Sequence, residues 1–354
     1  MGCREYNYTY STIHIVQYYI TKHNRIITSK GEKMEYRKLI SFGKSSFVIS
    51  LPKTWVNGNK LKKGDTVFLD ERNADLLLSP KEVNLEEEQK EITIEVDGKP
   101  VRRIQREIIT AYVMHYKTII LVGNEIKDKA KDLQEFIQNL VALEIMEQTS
   151  RKIVAKDFLN MNDLSTDNII RKMDIVTRAM LEDCKNMFTD DVYENINHRD
   201  NDVNRLRFLM YRIVWFGLNN PTFAIKKFNL SPISLLNLWW LAFNLEAIAD
   251  NVKRTARYMR EVKLDNKEKQ VLKNLLETIS EDYNQMMKGY HTRNPEIAHS
   301  ILQKKEEMLK QCEDFHHRNR NIPFVGYLMD QIKYFITNLY NIGRVVYQGQ
   351  LSTP

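Results

Sequence analysis

Glycine and proline are scarce, at 12 and 8 residues in a chain of 354. That scarcity argues against an all-β or linker-rich protein and favours helix. Cysteine is scarcer still: Cys3, Cys184 and Cys312 are far apart and odd in number, with no CxxC pair. They build no disulfide framework, which fits a reducing, cytoplasmic setting. No apolar run approaches the ~18 residues of a membrane span, and the richest stretch, Leu235 to Phe243, contains Asn237. There is no glycine-rich phosphate loop, and no Ser/His/Asp or Cys/His arrangement is apparent, so an enzyme is not expected. These absences exclude a membrane-spanning protein, a small disulfide-rich secreted domain and a collagen-like fibre.

What is present is a globular composition. Apolar residues make up 43% and charged residues 28%, enough for sizeable cores and too apolar for a disordered chain. The length predicts two or three domains. The formal net charge of +7 permits nucleic-acid binding without requiring it, so the location of the charge decides.

Residues 1–33 are rich in Tyr, Thr and Ile. Their most apolar part, Ile13 to Ile20, is interrupted by His14, Gln17 and paired tyrosines, unlike a secretory signal. They read as a poorly ordered extension, with Met34 as an alternative start because a strong pattern begins there. Residues 34–80 alternate as short strands around Gly43-Lys44-Ser45 and again after Leu61-Lys62-Lys63-Gly64-Asp65, with a helical turn opened by Pro52. Four short strands and one turn make a thin core, which an intertwined dimer would enlarge. A charged linker, Glu86 to Glu91, leads into an α/β module at 92–158 in the order β-α-β-α-β-β. Residues 162–350 then read as a helical bundle of two three-helix repeats, broken at Asn219-Asn220-Pro221, Ser231-Pro232, Asn294-Pro295 and Asn321 to Pro323.

The excess charge is concentrated in the first module. Between Met34 and Leu69, Arg37, Lys38, Lys44, Lys53, Lys60, Lys62 and Lys63 face only Glu35 and Asp65. Basic side chains on hairpins neutralise backbone phosphates, and such contacts dominate DNA affinity. The alternative is a solvated basic surface, or one that docks on an acidic partner. Ile40-Ser41-Phe42-Gly43, then Leu51-Pro52-Lys53-Thr54-Trp55-Val56, then Leu61-Lys62-Lys63-Gly64-Asp65-Thr66-Val67 resemble the AbrB/SpoVT N-terminal family. The resemblance implies a swapped-hairpin dimer that binds DNA as a transcription regulator. It makes Arg37, Lys38, Lys44 and Lys53 the DNA contacts, and Leu51, Pro52, Trp55, Gly64 and Asp65 structural.

Two acidic knots mark the helical part, one around Asp200 and Asp202 and one containing Glu246 and Asp250. Glu246 and Asp250 are one helical turn apart, so they share a face and repel unless a cation relieves them. Solvated faces show the same spacing. Both knots, set in a duplicated three-helix unit, resemble PhoU, the phosphate-uptake regulator family. That resemblance implies iron or zinc held by clustered carboxylates. It yields at most one weakly held metal ion (iron, magnesium, manganese or zinc) on Asp200, Asp202, Glu246 and Asp250. Asn204 stands where the family often has an acid, and Thr337 and Asn341 replace the acidic pair in the second copy. His316-His317 reads as a surface pair at a helix end, Trp239-Trp240 as core or dimer contact, and Tyr211, Tyr283 and Tyr334 as packing.

The two resemblances together point to archaeal phosphate uptake regulators. The expectation is a cytoplasmic, homodimeric, DNA-binding transcriptional regulator of phosphate uptake and homeostasis. In it the β domain would contact DNA and the helical domain would sense or relay phosphate status. The alternative is an adaptor that does not bind DNA but binds a phosphate transporter or sensor kinase through the helical bundle.

Overall fold

The structure, a computed structural model, describes residues 36–44, 46–72, 75–80 and 90–351. The expected extension at 1–33 and most of the expected linker lie outside the described residues. The chain divides into two units, one within the first 85 residues and one from Glu86 onward.

In the first unit, β1 (Ile40–Phe42) and β2 (Ser46–Val48) form an antiparallel hairpin with Ser41 opposite Phe47. Pro52 precedes α1 (Lys53–Gly58), its carbonyl accepting the Val56 N–H. Proline's fixed φ and missing N–H suit that position. The following turn explains the Leu-Lys-x-Gly-Asp pattern. The Asp65 carboxylate accepts the Lys62 N–H at 2.7 Å, while Gly64 takes φ +98°, which a side chain would resist. A second antiparallel hairpin joins β3 (Phe68–Arg72) to β4 (Asp75–Ser79).

The second unit opens with a two-layer α/β module. Its sheet has the order β5-β6-β8-β7, from β5 (Glu91–Glu95), β6 (Thr118–Val122), β7 (Leu143–Gln148) and β8 (Lys152–Asp157). β5 and β6 are parallel and therefore need a crossover, supplied by α2 (Val101–Val113); the other pairs are antiparallel. Ile104, Ile108, Ala111 and Tyr112 recur at helical spacing and are the buried face of α2. α3 (Ile126–Gln138) buries Ile126, Leu133 and Ile137 in the same core, against Ile119 and Leu121 of the central strand. The backbone closes tightly before α3. Asp97 accepts the N–H groups of Asn124 and Glu125, and a Cβ on Gly123 would lie 2.5 Å from its carboxylate.

Helices fill the remainder. They are α4 (Thr166–Lys185), α5 (Tyr193–Asn219), α6 (Pro232–Glu261), α7 (Asn266–Thr292), α8 (Pro295–Leu302), α9 (Lys305–Arg318) and α10 (Val325–Leu351). Local chemistry sets the starts: Ser165, Ser231, Asp265 and Asn294 cap α4, α6, α7 and α8 with side-chain oxygens, and Pro232 and Pro295 occupy first-turn positions. α6 packs against α4, α5 and α10 and is the central element. Between α5 and α6 the chain makes a short helical turn and a π-helical turn, ending at Asn229 with φ +54°. Between the breaks at Asn294-Pro295 and Asn321 to Pro323, where the pattern reads as one helix, the chain forms two, α8 and α9, parted at Gln303-Lys304 without proline or glycine.

Candidate functional site

Among the residues of the first unit whose exposure the structure describes, none is buried. Ile40, Phe42 and Val48 share one face of the β1–β2 hairpin and Phe47 the other, yet Phe42 and Phe47 are each 70% exposed. Tyr36, Leu39, Leu69 and Leu76 are exposed as well. Apolar residues bare on both faces of a hairpin leave a single copy without a core.

The four expected DNA contacts lie on this unit, all exposed. Arg37 and Lys38 precede β1, Lys44 sits in the β1–β2 turn, and Lys53 opens α1. Lys38, Lys44 and Lys53 have no ion pair among the described residues, so their charge faces outward.

The expected metal ligands lie on α5 and α6, and three of the four converge. Asp200 and Glu246 are buried and Asp250 is nearly so. Asp202 is exposed and pairs loosely with Arg205 at 3.8 Å. Two positions along a helix point about 200° apart, so Asp200 and Asp202 diverge. Lys253 stands among the three: its ammonium is 2.5 Å from Asp200 Oδ2 and 3.5 Å from Asp250 Oδ1. Arg254 holds the other Asp250 oxygen at 2.8 Å, and buried Arg207 lies 3.6 Å from Glu246. Asn204 donates its amide to Asp200 rather than offering an oxygen outward. Burial raises the Asp200 carboxyl, a shift the Lys253 charge partly offsets. Burial pushes Glu246 up to about 7, again with partial relief from Arg207. Burial alone would lower Lys253, but Asp200 and Asp250 hold its ammonium above the usual value.

The iron or zinc that the PhoU resemblance implies does not fit these donors as they stand. A divalent ion needs oxygens at about 2.0–2.6 Å, and the Lys253 ammonium fills that position beside Asp200. Among the described residues no three His, Cys, Asp or Glu side chains form a group able to hold a metal. In the second half, Thr337 is exposed and bonds its own helix at the Lys333 carbonyl, and Glu307 is exposed.

A third cluster escaped the sequence reading. Arg212, fully buried on α5, grips Asp157 at the end of β8 with two bonds of 2.9 and 2.5 Å. Lys117 binds the same carboxylate at 2.9 Å, and the guanidinium lies 4.5 Å from the Tyr112 ring. Burial would raise Asp157, yet the Arg212 bonds and charge, Lys117 and the Leu159 N–H hold it below the usual range. His115 accepts from Arg212 Nε at 3.3 Å, and its other ring nitrogen lies 3.0 Å from the Arg212 carbonyl. Both bonds suit only a neutral ring. This network ties the α/β module to the helices. Its one sequence signal was Arg212 itself, a charge set among the apolar residues Leu209, Met210, Ile213 and Val214.

Burial, then the Arg212 charge, lowers His115 from 6.5 to about 4. The unfolded chain therefore takes a proton near pH 6.5 that the folded chain refuses until about 4. Stability from this residue is full above the higher value and lost as pH falls toward the lower, by roughly 3 kcal/mol. Glu246 acts oppositely, gaining stability as pH falls from about 7 to 4.5. Denaturant titration of wild type against His115→Asn isolates the histidine, since asparagine tolerates the φ of +62° there. The expected result is that the wild-type margin over the variant shrinks between pH 7 and 4.5. A constant margin would contradict a ring held neutral.

His316 and His317 lie exposed in the last turn of α9, as expected of a surface pair. Trp240 stacks on Phe243, Trp239 lies tilted against both, and Tyr211 meets Trp239 edge-on. Tyr283 is buried, but Tyr334, expected in packing, is exposed because it lies on the outer face of α10.

The two hairpins and the charged turn make the first unit a small β domain. Residues 40–86 match the family described as antidote-toxin recognition MazE, bacterial antitoxin. Comparison with curated proteins gave no match, and comparison with solved structures gave none either.

Proposed function

We propose that the chain is a homodimeric, DNA-binding transcriptional regulator of phosphate uptake, with the helical part sensing or relaying phosphate status. The observation that carries the DNA-binding half is the first unit, where exposed apolar residues on both hairpin faces accompany outward-facing Arg37, Lys38, Lys44 and Lys53. Two interleaved copies bury the apolar residues and place two sets of basic side chains on one surface, the arrangement a two-fold DNA site requires. The match to an antitoxin-type domain supports this reading. The phosphate half rests on the PhoU-like sequence knots and the mostly helical second unit. Among the described residues no helix is long and apolar enough to cross a membrane.

Mapping of bound DNA across the genome at high and low phosphate tests the whole reading. The expected result is discrete sites beside phosphate-uptake genes, with occupancy that changes with phosphate. Sites indifferent to phosphate sink the sensing role, and no sites sink DNA binding. The adaptor reading draws on Tyr258, Phe324 and Tyr327, stacked in one group with Phe324 and Tyr327 exposed. Such a patch suits a protein partner such as a transporter or kinase.

Assembly is testable on a fragment of residues 34–86. With no buried side chain among the residues of one copy whose exposure the structure describes, it should sediment as a dimer throughout the micromolar range and unfold with a concentration-dependent midpoint. A folded monomer would contradict the interleaved arrangement.

A further inference from the structure

We propose that Lys253 takes the place of a metal ion, so that the carboxylate cluster of α5 and α6 is closed by the chain's own cations. Three carboxyl groups meet three cationic side chains in pairs: Asp200 with Lys253 at 2.5 Å, Asp250 with Arg254 at 2.8 Å and Glu246 with Arg207 at 3.6 Å. No negative charge is left over to attract a divalent ion. The ammonium also bridges helices, because Lys253 and Asp250 belong to α6 and Asp200 to α5. A metal bridging those carboxylates would hold the two helices in the same way. Asp200 Oδ1 and Glu246 Oε2 are buried without a hydrogen-bond partner, so coordinating oxygens remain once the lysine is removed. Buried polar atoms of that kind demand a partner. With the ammonium gone, Asp200, Glu246 and Asp250 would keep only Arg207 and Arg254 beside them, and that surplus of negative charge favours a hard cation.

The test uses full-length protein and Mn2+ alone, followed by electron paramagnetic resonance. Wild type should leave the free Mn2+ signal unchanged at equimolar protein. Lys253→Gln, which keeps a polar side chain but removes the charge, should bind one Mn2+ per chain at least ~10-fold more tightly than wild type. The gain should vanish in Lys253→Gln with Asp250→Asn. Tight Mn2+ binding by wild type that Asp200→Asn abolishes would overturn the proposal, and so would a folded Lys253→Gln that binds no better than wild type. Where Lys253→Gln is unfolded alone, recovery of its helical signal on adding Mn2+ supports the proposal and failure to recover refutes it. These outcomes are independent of DNA binding by the first unit.

Discussion

Alanine at Arg37, Lys38, Lys44 and Lys53 together is expected to weaken DNA binding by at least ~10-fold at moderate salt. All four side chains are exposed, and Lys38, Lys44 and Lys53 have no ion pair among the described residues. Removing those three therefore strips charge without opening a core or orphaning a carboxylate. Each phosphate that is no longer neutralised should also flatten the salt dependence of affinity by about 0.9 in the log–log slope. In a two-fold dimer every substitution counts twice, so the slope is the more telling measurement. Fluorescence anisotropy at several salt concentrations gives both quantities, with circular dichroism and sedimentation confirming a folded dimer. A folded, dimeric variant with wild-type affinity and slope would move the basic surface off DNA and favour the adaptor.

The sequence showed the element order of the second unit because local signals there are strong. The α2 face at Ile104, Ile108, Ala111 and Tyr112 repeats at helical spacing, and capping residues or prolines stand before α4, α6, α7 and α8. The same signals are missing at Gln303-Lys304, and the break between α8 and α9 went unseen for that reason. The sheet order β5-β6-β8-β7 was beyond pattern reading too, since alternation reports which face is inward and not which strand lies alongside.

The same distinction governs the charged clusters. The spacing of Glu246 and Asp250 put both on one side of α6. It did not reveal that Lys253, on the following turn, meets an aspartate from another helix. Asp200 and Asp202 are adjacent in the acidic knot but diverge on the helix, so a run of acidic residues overstated the ligand set. In the first unit the sequence read as a thin core, and the structure goes further: among the residues whose exposure it describes, none is buried in one copy. Thin alternating strands look alike whether the missing partner is the rest of the chain or a second copy.

The largest stability effect should come from Arg212. Its guanidinium is fully buried and makes two bonds to Asp157, itself buried between Arg212 and Lys117. Arg212→Met is expected to destabilise the second unit by about 3–5 kcal/mol. The loss is not the net worth of the ion pair, because desolvation offsets much of the attraction between buried charges. It comes from leaving the Asp157 carboxylate buried with half its donors gone, and from freeing His115 Nδ1 of its partner at 3.3 Å. Lys117 remains 2.9 Å from Asp157 and should place the loss near the lower end. Arg212→Lys keeps the charge but loses the two-pronged grip and the stacking at 4.5 Å on Tyr112, so it should recover only part of the stability. Arg212→Met with Asp157→Leu removes both ends and should cost less than Arg212→Met alone, since no carboxylate is then stranded. Urea titration followed by helical circular dichroism measures all three variants. A single-variant loss below about 1 kcal/mol, or a double variant worse than the single, would show that the network contributes packing rather than charge pairing.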